Sequence, residues 1–177
     1  RHFDASLADP RGAQEARLNS LLLGAKNTAF AAEHDLGKVQ SLAEFREAVP
    51  IRTADAWSPW LSRVAKGEHG VLKQQRPIHL LETSGTTGGP KLLPVTRAWA
   101  KTVQLAQALW TLGLIREYPA VTRGKILTFV SPAIHGRSSG GLPIGSNTGR
   151  IRQAQPWWMR RRYAVPYSVV EIEDPLA

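Results

Sequence analysis

Apolar residues recur at helical spacing in the first part of the chain and at strand spacing afterwards, and that change of period divides it. Across residues 13–34, Leu18, Leu21, Leu22, Ala25, Ala29 and Ala32 follow one another at intervals of three and four, which places them on one face of a helix. Gly37 offers the stop. Ser41 and Glu44 have the spacing of a capping box, so Leu42, Phe45 and Val49 belong to a short helix that Pro50 ends. Ser58-Pro59 opens another through Trp60, Leu61 and Val64, closed by Gly67. Residues 1–75 thus read as a mainly helical layer without evident chemistry.

Residues 76–177 alternate strand, loop, strand, helix and strand, the order expected of an α/β domain. Residues 78–82 and 92–95 are the first two predicted strands. Thr96 is placed to cap a long helix whose expected core face is Trp99, Val103, Ala106, Trp110 and Gly113, which makes packing residues of two of the six tryptophans. Residues 125–130 form a near-continuous apolar run, the pattern of a buried strand.

The stretch between the first two strands carries the chemistry. Thr83-Ser84-Gly85-Thr86-Thr87-Gly88-Gly89-Pro90-Lys91 combines hydroxyls, unobstructed backbone N–H groups and one cation, the donor set that converges on a phosphate. It is not a Walker-type loop. That pattern requires glycine before its lysine and Ser or Thr after it, whereas Pro90 and Leu92 flank Lys91 here. The apolar run after the lysine makes the stretch a connection between strands, and a plain surface hairpin of Thr, Ser and Gly is the alternative reading.

A second loop, residues 131–141, follows the predicted strand 125–130 and contains His135 and Arg137. Ligands gather beyond strand ends in α/β sheets, so both side chains are candidates for touching a carboxylate; a loop that points them at water is the plainer reading. The other four histidines, His2, His34, His69 and His79, show no mutual ligand spacing, so no histidine metal site is expected.

The string at 83–91 resembles the phosphate-binding signature of the adenylate-forming superfamily. Its flanks narrow the resemblance: residues 27–34 and 42–52 upstream, Leu93-Pro94-Val95-Thr96 and Gly141-Leu142-Pro143-Ile144-Gly145-Ser146 downstream, and the stretch from Val165-Pro166 to Asp174. Together they are similar to the Gretchen Hagen family of acyl acid-amido synthetases, the auxin-responsive promoter family, in its bacterial form. The resemblance implies the N-terminal portion of a large adenylate-forming domain of α/β class, without the small mobile C-terminal domain. It implies ATP with Mg2+, a small carboxylic acid activated as an acyl-adenylate, and an amine, an amino acid, that takes the acyl group. Thr83, Ser84, Gly85, Thr86, Thr87, Gly88, Gly89 and Lys91 would then hold the ATP phosphates, and His135 and Arg137 would lie toward the acyl pocket. A phenylacetate-type acyl-CoA ligase and a non-catalytic binding scaffold are the alternatives, and the segment alone is expected to be inactive.

Composition adds limits rather than identity. The absence of cysteine excludes a disulfide scaffold and thiolate metal sites and suits the cytoplasm. No run of about 18 apolar residues occurs, so no membrane span is expected. The net charge of +9 has the sign of a nucleic-acid binder, and Trp157-Trp158-Met159-Arg160-Arg161-Arg162-Tyr163 is its densest patch. No nucleic-acid motif surrounds that patch, so a solvated or interdomain arginine face is preferred, and a basic excess also suits anionic substrates.

Overall fold

The computed structural model describes residues 2–83 and 90–172. The chain divides into two compact units, Arg1–Arg76 and Pro77–Ala177. Among the described residues no helix is long and apolar enough to cross a membrane.

Unit one is built from α1 (His2–Ala8), α2 (Pro10–Ala25), α3 (Ala29–Glu33), α4 (Leu42–Ala48) and α5 (Ser58–Ala65), joined by single tight turns at Leu36–Lys38 and Ala54–Trp57. The continuous helix expected over 13–34 is broken. Asn27 takes φ +62°, and Thr28 starts α3 anew, its Oγ1 accepting the Ala31 amide at 3.1 Å and donating to Ala25 O at 2.7 Å. Gln74 Nε2 takes up the carbonyls exposed by the break, donating to Lys26 O and Asn27 O at 2.8 and 2.9 Å. Asparagine tolerates the left-handed region and threonine is a strong N-cap, so the break has local causes that the apolar period masks. The turn after α3 is made by Asp35 at φ +49°, not by Gly37.

Ser41 Oγ caps α4 through the Glu44 amide at 3.2 Å, while Glu44 Oε2 reaches one residue past the usual box to the Gln40 amide at 2.7 Å. The core of the unit is Phe30, Leu36, Trp60, Val64 and Val71, all buried. Phe30 stacks on Trp57 and meets Trp60 edge-on at centroid distances of 5.2 and 5.4 Å.

Unit two carries a four-stranded mixed sheet, β1 (His79–Glu82), β2 (Leu92–Val95), β3 (Gly136–Arg137) and β4 (Pro143–Gly145), in the order β2-β1-β4-β3. β1 and β2 are antiparallel with His79 opposite Val95 and Glu82 opposite Leu92; β4 runs parallel to β1 and antiparallel to β3. Helix α6 (Arg97–Glu117) follows β2, capped by Thr96 Oγ1 on the Trp99 amide at 3.2 Å. Two shorter helices follow β4, α7 (Asn147–Gln153) and α8 (Trp157–Arg160). Leu81, Val95 and Ala100 form a buried cluster between sheet and α6.

Two expectations for this unit are corrected. Residues 125–130 form no strand: Ile126 makes one isolated bridge to Tyr163, and Phe129 is 91% exposed. An apolar run becomes a strand only where a neighbour offers a ladder, and here the partner segment turns away after one residue. The α6 core face also differs from the expected one. Ala100 is its buried residue, whereas Trp99 and Trp110 are exposed at 37% and 70%.

Candidate functional site

Strand β1 delivers its residues to two faces of the sheet. Successive side chains alternate, so His79 and Leu81 share the face that α6 covers through Leu81, while Leu80 and Glu82 point the other way. At the end of β1 the chain enters the phosphate-type stretch. Its base is locked: the Thr83 amide donates to Lys91 O at 3.0 Å, and the Lys91 amide donates to Thr83 Oγ1 at 3.2 Å. Because Thr83 Oγ1 accepts in that bond, its hydroxyl proton remains to be donated elsewhere. Ser84, Gly85, Thr86, Thr87, Gly88 and Gly89 lie outside the described residues.

The candidates from the second loop separate. His135 Nε2 lies 2.9 Å from Glu82 Oε2, so this imidazole meets the carboxylate just before Thr83. The His135 amide donates to Ile144 O at 2.9 Å, which fixes the residue against β4. Arg137 turns back on its own hairpin, donating from Nη1 to Gly141 O at 3.0 Å. What holds 131–135 against β4 and α7 is close packing on two glycines. A Cβ on Gly145 would stand 1.8 Å from Ala133 O and one on Gly149 2.2 Å from Ser131 O, so neither position admits a side chain. Ser146 Oγ, donating to Ser131 O at 2.7 Å and accepting from the Gly149 amide at 2.9 Å, ties the same segment to the start of α7.

Several charged groups of the site escape sequence reasoning. Glu82 is legible only as a polar strand end, and its meeting with His135 depends on the parallel pairing of β1 with β4. His79 is buried, and its Nε2 has no hydrogen-bond partner among the described residues. Burial holds its pKa below the ordinary imidazole value, helped by the positive charge of Arg150 and by His135. Arg150 lies over the Trp99 ring at 5.5 Å and donates from Nη2 to Asn147 Oδ1 at 3.0 Å; burial lowers its pKa as well. Arg152 is buried against the Tyr163 ring at 3.4 Å and donates from Nη2 to Val165 O at 3.2 Å.

Of the arginines near residue 160, one is bonded to backbone carbonyls and one lies over an aromatic ring. Arg160 donates from Nε to Gln155 O at 2.8 Å and from Nη2 to Gln153 O at 2.7 Å, and Arg161 lies over the Trp157 ring at 4.9 Å.

The described ends of the stretch carry donors of the kind that a phosphate takes, a hydroxyl on Thr83 and an ammonium on Lys91. Among the described residues no three His, Asp or Glu side chains are grouped to hold a metal ion. Magnesium held mainly by phosphate oxygens and water needs only one or two protein carboxylates.

Known proteins share the sequence and the architecture. The chain is 29% identical to indole-3-acetic acid-amido synthetase GH3.2 of Arabidopsis thaliana over 76% of its own length and 25% of the relative's. It is 30% identical to jasmonoyl--L-amino acid synthetase JAR4 of Nicotiana attenuata over 86% of its length and 27% of the relative's. The chain therefore spans about a quarter of the length of these curated relatives. A solved GH3.15 acyl acid amido synthetase superposes on 95% of the chain and 29% of that structure with a TM-score of 0.76 at 17% identity, a likeness of fold. The family model described as "GH3 family N-terminal domain" matches residues 1–177, and the chain belongs to the GH3 family as part of that N-terminal domain.

Proposed function

We propose that the full-length protein carrying this segment is an ATP-dependent acyl acid-amido synthetase. It activates a small carboxylic acid as an acyl-adenylate with release of pyrophosphate, then transfers the acyl group to the amine of an amino acid. The observation that carries this reading is the Thr/Ser/Gly stretch ending in Lys91, set between β1 and β2 with its base locked by the reciprocal Thr83–Lys91 bonds, in a chain matched throughout by the family model. Relatives named for indole-3-acetic acid and for jasmonoyl amino acids support a small organic acid and an amino acid as the two substrates.

The first step needs the triphosphate held in line and the charge on its oxygens offset. Thr83, Ser84, Thr86 and Thr87 donate hydroxyl bonds, Gly85, Gly88 and Gly89 turn backbone N–H groups inward, and Lys91 offsets charge on the departing pyrophosphate. Magnesium accompanies the nucleotide. The substrate carboxylate is itself the nucleophile, so no activated serine or cysteine is required. His135 lies toward the acid on the β3–β4 side of the sheet, whereas Arg137, turned to Gly141 O, reaches the acid only by leaving that carbonyl.

These residues supply the phosphate side of such a site, so turnover requires the rest of the protein: differential binding of the transition state is spread over more contacts than the hairpin holds. The lack of cysteine and of a spanning helix among the described residues supports work in the cytoplasm. Exchange of labelled pyrophosphate into ATP, run on the full-length protein with a panel of carboxylates, tests the activation step. Offering amino acids and coenzyme A to the active acid then separates amide from thioester formation. No exchange with any acid refutes the proposal, and a thioester product moves the protein to the acyl-CoA ligases.

A further inference from the structure

We infer that His135, oriented by Glu82, is the general base that takes the amine's proton in the acyl-transfer half-reaction; this rests on the amido synthetase reading above. The imidazole Nε2 lies 2.9 Å from Glu82 Oε2, an ion-pair contact. A carboxylate oxygen at that distance favours the proton on Nε2, which leaves the lone pair on Nδ1, an atom that makes no hydrogen bond among the described residues. The carboxylate holds the ring in orientation and stabilises the imidazolium that forms, the logic by which a third group prepares a histidine base.

The pair stands where an acyl-adenylate would be presented. Glu82 is the last residue of β1, and the next residue, Thr83, opens the hairpin stretch read above as the phosphate holder. Both partners are fixed by backbone pairing, Glu82 opposite Leu92 in the ladder and His135 through its amide on Ile144 O. Their side chains remain 34% and 43% exposed, open enough for an amine to reach Nδ1. The charged groups around the ring are Glu82 and His79 from β1; Arg150 stands near His79, and Arg137 is turned to Gly141 O.

The step balances as follows. The amino acid's ammonium gives one proton to solvent and its nitrogen attacks the acyl carbon. The C–N bond forms and the C–O bond to the adenylate phosphate breaks, AMP leaving as its phosphate anion with the bonding pair. The second proton on nitrogen passes to His135 Nδ1 and from there to water. Nothing is oxidised or reduced.

The test uses the full-length protein, with the acid giving fastest pyrophosphate exchange in a panel that includes indole-3-acetate and jasmonate, and glycine as the amine. His135→Asn is expected to slow single-turnover amide formation at neutral pH by on the order of 100-fold or more, a larger fall than it causes in pyrophosphate exchange at saturating acid, since only the second half-reaction uses the base. Its pH–rate profile for aminolysis should lose a limb that the wild type shows. Glu82→Gln should lower the aminolysis rate and, in ¹⁵N spectra of the unliganded protein, mix the tautomer that the wild type holds with its proton on Nε2. His135→Gln serves if the asparagine variant melts early.

Unchanged aminolysis in both substitutions overturns the assignment, and so does an equal fall of both half-reactions. A fall confined to exchange, relieved by added magnesium, would give the pair to the nucleotide instead. Absence of exchange in the wild type with every acid overturns the synthetase reading and this inference with it.

Discussion

Thr83 and Lys91 close the phosphate-type hairpin on each other, the amide of each donating to an oxygen of the other at 3.0 and 3.2 Å. The first of these bonds continues the β1–β2 ladder by one step beyond the Glu82–Leu92 pair. The second uses a side chain and therefore depends on residue 83 being a hydroxyl amino acid. In the proposed function this one threonine both closes the hairpin and donates to phosphate.

Replacing that hydroxyl should be felt twice. Thr83→Val removes the acceptor for the Lys91 amide, a loss of about 1 kcal/mol of local stability, and with it one donor for phosphate. Pyrophosphate exchange by the full-length variant should fall more than its denaturation midpoint; an unaltered exchange rate would separate Thr83 from the nucleotide.

Within the stretch itself, Ser84→Ala and Thr86→Ala should each weaken adenylation by about 1.5 to 3 kcal/mol, the range for a hydrogen bond to a charged group. Lys91→Ala should cost at least as much. The measurement is again pyrophosphate exchange on purified full-length protein, and three unchanged rates would remove the stretch from catalysis.

Gly145 and Gly149 hold 131–135 against β4 and α7 by having no side chain. Gly145→Ala drives a Cβ to within 1.8 Å of Ala133 O, and since both atoms are backbone-fixed the strand pair must move. The expected loss is about 1 to 3 kcal/mol, the usual cost of overpacking, read as a lower midpoint in urea. Alanine at Gly24, whose Cβ would meet nothing within 4 Å, is the control that should not share it.

His79 makes stability depend on pH. Its folded-state pKa lies below the unfolded value because burial, Arg150 and His135 disfavour the charged ring. Above the ordinary value of about 6.5 both states are neutral and nothing is lost. As pH falls below that value the unfolded chain gains a proton that the folded one resists, so stability declines toward the folded pKa. Urea midpoints at pH 7.5, 6.5 and 5.5 should fall more steeply in the wild type than in His79→Phe, which leaves no unpartnered Nε2 behind. Parallel curves would mean that His79 does not titrate as its surroundings suggest.

Arg160, Arg161 and Arg162 should not form a nucleic-acid site, given how Arg160 is spent on two backbone carbonyls and Arg161 on Trp157. Filter binding of single-stranded DNA at two salt concentrations should show only weak, salt-labile retention, little altered by replacing all three. Tight retention in about 150 mM salt, lost in the triple variant, would reverse this reading.

What the sequence by itself determined is the set of features whose causes lie within three or four residues of each other. Ser41 with Glu44, Thr96 before α6, the strands flanking 83–91, and the signature that carries the family resemblance all belong to that set, because a cap or a turn is satisfied locally. Tertiary structure decided whatever needs a distant partner. The apolar run 125–130 looks like a strand yet finds only Tyr163, and the carbonyls of Lys26 and Asn27, left open by the local break at Asn27 and Thr28, are taken up by the distant Gln74. The apolar face of α6 is shifted from Trp99 and Trp110 toward Ala100 by where the sheet lies. The candidate site divides the same way: its hydroxyls and lysine are contiguous and therefore legible, while Glu82 reaches His135 only because β4 pairs parallel to β1, with Gly145 admitting 131–135 alongside. Local hydrogen bonds are written in neighbouring residues, whereas strand pairing selects its partners by which surfaces can be buried together.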